Sequence, residues 1–187
     1  MNSVLIIDFG SQVTELIARR VRELSVFSIV KNCNITLKEI KELNPKAIIF
    51  SGGPNSVNEG FSPTIDKAIF DLNVPILGIC YGQQLIAKLL GGQVESADER
   101  EFGKAIININ SSSDLFANFD TKQSQVWMSH GDVMTKIPDN FDVIATTDNA
   151  PFAAIKCREK KIYGVQFHPE VSHSVEGKKL ISNFVLN

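Results

Sequence analysis

Nowhere in this sequence does an apolar run approach the roughly 20 residues that a membrane-spanning helix needs, so no such helix is expected. Neither sign of charge prevails: 19 Lys and Arg stand against 21 Asp and Glu, a formal charge of −2. That balance offers no global attraction to nucleic acid or to an anionic membrane. Cysteine is sparse as well. Cys33, Cys80 and Cys157 lie far apart, with no CxxC spacing and no Cys/His pairing, so neither a disulfide framework nor a zinc site is suggested. A reducing, cytoplasmic setting is expected. The first residues, MNSVLIIDFG, lack a basic segment ahead of their apolar stretch and read as a first strand, not as a signal peptide. Repeats, low-complexity tracts and linkers are absent too. Residues 1–187 therefore read as one domain, long enough for a substantial core.

What is present alternates. VLIIDF (Val4 to Phe9), AIIF (Ala47 to Phe50) and VPILGI (Val74 to Ile79) are short continuous apolar runs, the pattern of strands buried on both faces. Between them lie helix signals. Ser11 is the expected cap of a helix reaching about Leu24, and Thr36 to Glu39 is a capping box. Ser62-Pro63 reads as a cap with proline at the first helical position, ahead of Ile65, Ala68, Ile69 and Leu72. A further helix follows Cys80 and ends at Gly91-Gly92. From Gln93 to Gln166 shorter β-like runs take over, and an amphipathic helix from about Val175 to Leu186 closes the chain. The expected fold is α/β: an open, mostly parallel central sheet with helices on both faces and a smaller antiparallel extension.

Cys80, in GICYGQQ, stands where the third run gives way to a helix. A cysteine there can be mere packing. The pattern G-x-C-x-G is nevertheless the thiol counterpart of a nucleophile elbow, at the strand end where open α/β sheets bind ligands. A helix N-terminus favours the reactive thiolate, and the N–H of Tyr81 is positioned to donate to an oxyanion. His168 and Glu170, in GVQFHPE, follow another apolar run, and a turn at Pro169 can bring the acid behind the imidazole. His130, in MSHGD, is the rival base, with only Asp132 nearby; His173 reads as a surface or rim residue. Gly52 and Gly53, in SGGP, allow backbone to approach a ligand closely, although an ordinary turn would look the same. SGGPNS lacks the lysine of a phosphate-binding loop, which argues against nucleotide binding there. Alone, each motif is weak. Together, each at the end of an expected buried strand, they favour cysteine-based acyl transfer over packing.

DFGSQ, SGGPNSV, GICYGQQ, WMSHGD and GVQFHPEV, in this order and spread over nearly the whole chain, resemble the class I (triad) glutamine amidotransferases, a flavodoxin-like fold. The resemblance implies a catalytic triad of Cys80, His168 and Glu170 acting on glutamine, with the oxyanion on the N–H groups of Gly53 and Tyr81. It implies a glutamine pocket lined by Gly52, Gln84, Ser129, His130, Gly131 and Asp132. It also implies no cofactor or metal in this chain. The expected partner is an ATP pyrophosphatase domain or subunit, which would carry the ATP and magnesium. The sequence leaves open whether the chain is a separate subunit or the first part of a longer protein. Two other readings stand beside this one: another cysteine hydrolase of similar fold, such as a peptidase or γ-glutamyl hydrolase, and a catalytically silent binding subunit.

Overall fold

The structure, a computed structural model, describes residues 3–110 and 112–187, with no side-chain description at 98 and 99. Its first strand, β1 (Ser3–Asp8), sends alternate side chains to opposite faces, as strand geometry requires. Val4 and Ile6 enter one apolar cluster, and Leu5 and Ile7 enter another. Both faces must therefore be covered, and the helices cover them. On one side lie α1 (Thr14–Glu23) and the final helix, with Ile17, Val21, Leu180, Ile181 and Phe184 packed inward. On the other lie α2 (Leu37–Leu43) and α3 (Tyr81–Leu89), burying Ile40, Leu85 and Ile86.

The remaining strands are β2 (Phe27–Asn32), β3 (Ala47–Phe50), β4 (Ile76–Ile79), β5 (Gln93–Ile109), β6 (Gln123–Lys136), β7 (Phe141–Thr146), β8 (Ala154–Cys157) and β9 (Ile162–Val165). They form one sheet in the order β2-β1-β3-β4-β9-β8-β7-β5-β6 among the described residues. The first five run parallel and the rest pair antiparallel, so the expected mixed α/β sheet is the one observed. The carboxyl ends of β1, β3, β4 and β9 lie side by side, which gathers residues near 9, 51, 80 and 168 along one edge.

Some local expectations fail for identifiable reasons. Ser11 is not the helix cap. Asp8 Oδ1 accepts from the Gly10 N–H at 2.9 Å and from the Thr14 hydroxyl at 2.8 Å, which holds Gly10 to Gln12 as a turn and delays α1 to Thr14. The helix expected after Ser62-Pro63 shrinks to a single 3-10 stretch, Lys67–Asp71, capped by Asp66. Its predecessor is held as loop because the Tyr81 hydroxyl donates to the Pro63 carbonyl and the Ser62 hydroxyl to that of Ser56. Edge strand β2 escaped the sequence reading, having exposed and half-buried residues in place of an apolar run. The last helix, α4 (Gly177–Leu186), begins two residues later than expected. The capping box is formed as expected: the Glu39 N–H donates to Thr36 Oγ1, and the Thr36 N–H to the Glu39 carboxylate. Gly91 takes the left-handed conformation, at φ +97°.

Candidate active site

Cys80 joins β4 to α3 at φ +51° and ψ −106°, a backbone conformation that costs a non-glycine residue about 1–3 kcal/mol. The surrounding packing enforces it. A Cβ at Gly78 would lie 2.5 Å from the Gly82 backbone, and one at Gly82 would lie 2.6 Å from the Phe50 carbonyl oxygen. The two glycines thus let α3 descend directly onto β3 and β4, and the chain must turn sharply at the residue between them. The Cys80 N–H donates to the Val165 carbonyl at 2.8 Å, which ties the turn to β9. Tyr81, as the first residue of α3, has an N–H with no acceptor within the helix.

His168 follows β9, and its Nδ1 lies 2.8 Å from Glu170 Oε1. Glu170 is fully buried, and its Oε2 has no partner among the described residues. Burial opposes charge on the imidazole, but hydrogen bonds to Cys80 and Glu170, together with the attraction of both groups, outweigh it and push His168 up to about 10. An imidazolium beside a sulfur and a dry carboxylate is the form this favours once the ring has taken the thiol proton.

Three contacts fix the turn that carries this pair. Arg20 Nε donates to the Glu170 carbonyl at 3.0 Å. The buried Ser174 hydroxyl accepts from the Trp127 N–H at 3.0 Å and donates to the His168 carbonyl at 2.6 Å. Gly177 admits the Pro169 carbonyl, which would lie 2.0 Å from any Cβ there. None of these three was singled out from the sequence, because each acts across more than one element.

Two cavities meet at Cys80. One, of about 300 Å³, is lined by Gly10 to Val13, Trp127, His168 and Val171. The other, of about 550 Å³, is lined by Gly53, Tyr81, Gln84, Arg100 and the segment Ser129 to Asp132. A larger hollow of about 770 Å³, lined by residues between Ser112 and Lys122 together with Ile109 and Asn110, has no cysteine or histidine among its described lining residues. Of the expected pocket residues, only Gly52 lines neither cavity at Cys80. It lies beside the pair instead: a Cβ there would stand 3.1 Å from His168 Cε1 and 3.7 Å from Cys80 Cβ.

The larger cavity's far wall comes from the β5–β6 ribbon, whose register breaks between Ser96 and Glu101. This irregularity, opposite Gly131, lays Arg100 over that glycine, consistent with bulges re-aiming side chains near sites. The sequence offered His130 only Asp132 as a nearby acid, but its acid partner is Glu101. Its Nε2 lies 3.0 Å from Glu101 and its Nδ1 lies 2.9 Å from the Asp132 carbonyl, so both ring nitrogens are engaged away from the sulfur. The Asp132 carboxylate does not contact His130; its Oδ2 is buried without a partner among the described residues. Gln84 Nε2 donates to the Asp132 carbonyl at 2.9 Å and to Gln166 Oε1 at 3.1 Å. His173 is exposed and stacks on Trp127 at 4.5 Å, a rim position.

The sequence matches the family model of class I glutamine amidotransferases over residues 5–187. The chain belongs to that family. It is 52% identical over 187 residues to the glutamine-hydrolysing GMP synthase of Brachyspira hyodysenteriae, covering all of this chain and 36% of that protein. Against the same enzyme of Staphylococcus aureus it is 54% identical over 182 residues, 97% of this chain and 35% of the relative. The chain therefore spans about a third of the length of these relatives. A candidate GMP synthase subunit from Thermoplasma acidophilum superposes with a TM-score of 0.89 at 31% identity, over 99% of this chain and 92% of that one. A glutamine amidotransferase from Thermotoga maritima shares the fold at a TM-score of 0.77 and 19% identity, over 100% and 97% of the two chains.

Proposed function

We propose that this amidotransferase chain is the glutaminase part of a GMP synthase, working as one domain in the cytoplasm. It hydrolyses glutamine and passes the ammonia to an ATP pyrophosphatase partner, which aminates XMP to GMP and holds the ATP and magnesium. The observation that carries the reading is the grouping of Cys80, His168 and Glu170 beside a polar cavity that Asp132 lines. A carboxylate in the cavity wall suits the ammonium of an amino acid, and the Gln84 side-chain oxygen offers a further acceptor.

The chemistry follows from the same atoms. The Cys80 thiol passes its proton to His168 Nε2, its sulfur bonds to the side-chain amide carbon of glutamine, and the carbonyl electron pair moves onto oxygen, received by the N–H groups of Gly53 and Tyr81. His168 gives its Nε2 proton to the amide nitrogen, the C–N bond breaks, and ammonia leaves a γ-glutamyl thioester. Water then loses a proton to His168 and attacks the thioester. The C–S bond breaks, glutamate leaves, and His168 returns the proton to the sulfur, restoring the thiol. Glu170 supports the imidazolium throughout.

The test is glutamate release from free glutamine by this chain with its synthetase partner, ATP and XMP. Cys80→Ala should abolish it while ammonia-dependent GMP formation by the assembly persists. Cleavage of γ-glutamyl peptides in preference to glutamine would support the hydrolase reading instead. An absence of Cys80 labelling by a glutamine-like electrophile would support a silent binding subunit.

A further inference from the structure

The triad leaves two contacts of the Cys80 sulfur unexplained. The Ser129 carbonyl lies 3.4 Å from it and accepts the S–H. The side-chain Nε2 of Gln166 lies 3.6 Å away, within the longer reach of a hydrogen bond to sulfur. These two partners oppose one another. A carbonyl oxygen holds the thiol and repels the anion, whereas an N–H favours the anion.

Which end of the Gln166 amide faces the sulfur therefore matters, and the fold dictates it. A backbone carbonyl can only accept, so the Asp132 carbonyl requires the nitrogen of Gln84 to face it, at 2.9 Å. That same nitrogen then donates to Gln166 Oε1 at 3.1 Å, which turns Gln166 Nε2 toward Cys80. Gln166 is 2% exposed, so water offers little competition. The residue follows β9 directly after Val165, whose carbonyl already receives the Cys80 N–H. One strand end thus grips both the backbone and the side chain of the nucleophile.

We propose that Gln166 is a further catalytic residue of the glutaminase reaction, a donor to the Cys80 sulfur whose orientation is set by Gln84. It offsets the Ser129 carbonyl when the proton leaves, and it holds the sulfur in one rotamer for attack. Because Gln84 lines the larger cavity, the relay runs from the glutamine site to the nucleophile. The proposal rests on the glutaminase reading only for the identity of the substrate.

The experiment compares Gln166→Met, which keeps length but not the donor, and Gln166→Glu, which presents an oxygen. Alkylation of Cys80 by iodoacetamide at neutral pH is followed on the Cys80 peptide by mass spectrometry, so that Cys33 and Cys157 do not interfere. Steady-state kcat and KM for glutamine are measured on the assembled enzyme, with the thermal midpoint as a check on folding. Gln166→Met should slow alkylation and kcat about tenfold, the worth of one hydrogen bond, with KM unchanged. Gln166→Glu should slow both further, although it is closer in shape and polarity; a merely structural role would not give that order. Gln84→Met, which leaves Gln166 in place but unoriented, should slow alkylation in the same direction by less, and it serves as the test if position 166 does not tolerate change. Wild-type alkylation rates in both methionine variants would overturn the proposal. Slowed alkylation in a chain that releases no glutamate would uphold Gln166 and overturn the glutaminase reading.

Discussion

The carboxyl edge of the parallel strands and the β5–β6 ribbon both wall the candidate site, yet they are built on opposite principles. At the edge, each functional residue sits in a short continuous segment whose local geometry determines its position: Gly78 to Gly82 around Cys80, and His168 to Glu170 around the ion pair. In the ribbon, position comes from cross-strand register. His130 meets Glu101 only because β5 and β6 pair there beside a bulge. Rigid local motifs hold the proposed reacting atoms, and a long two-stranded ribbon walls the cavity. Damage to the edge should therefore abolish chemistry, while damage to the ribbon should alter binding.

The strongest break is Gly82→Ala. The new Cβ would lie 2.6 Å from the Phe50 carbonyl oxygen and 2.7 Å from Phe50 Cβ, and backbone cannot yield as a side chain can. Overpacking of this kind costs about 1–3 kcal/mol or more. The helix can relieve it only by lifting off β3, which carries Cys80 out of line with His168. Glutamate release should vanish and the thermal midpoint should fall; an active variant of wild-type stability would show that the elbow does not need the close approach.

Next is Glu170→Gln, which keeps shape and removes charge. Turnover should fall by roughly 10²–10⁴. His168 is raised from 6.5 to about 10, so its protonation stabilises the folded chain fully below about 6.5 and ceases to do so as the pH climbs through about 10. Without the carboxylate this alkaline limit should move down. Thermal midpoints measured from pH 6 to 11 check the shift, and coincident profiles for both proteins would remove Glu170 as a cause of it.

The same contrast governs what was legible in the sequence. The gathering of Cys80, His168 and Glu170 at one edge of the sheet could be read because each elbow or turn is a local pattern closing a buried apolar strand. The parallel half of the sheet was legible for the same reason, except β2, whose edge position leaves it without an apolar run, and β9, whose run falls among those that read as the antiparallel extension. Glu101, Ser174 and Arg20 could not be read. Their partners lie 29, 6 and 150 residues away, and only the folded register brings them together. Ser11 was misplaced because a side chain, Asp8, competed with it for the turn.

In the ribbon, Asp132→Asn should act on binding. A charged hydrogen bond to the ammonium of glutamine is worth about 1.5–3 kcal/mol, so KM should rise roughly 10- to 100-fold with kcat little changed. The backbone carbonyl of Asp132, which orders Gln84, survives the substitution. A fall in kcat at constant KM would contradict the division between edge and ribbon.

The mildest change, and the finest discriminator, is Glu101→Gln. The substitution preserves an acceptor for His130 Nε2 at the same reach, so the ring keeps its second hydrogen bond to the Asp132 carbonyl and the cavity wall keeps its shape. What is lost is one charge, itself partly exposed, at 16% of its side-chain surface. Solvent screening limits the effect of such a charge, and about 1 kcal/mol or less is expected. That corresponds to a KM for glutamine raised no more than about fivefold, with kcat intact. Steady-state kinetics on the assembled enzyme measure both. If kcat instead fell as steeply as in Glu170→Gln, Glu101 and His130 would have to be a second acid–base pair acting on the reaction. The ribbon would then hold chemistry by cross-strand register, and the contrast between the two walls would collapse.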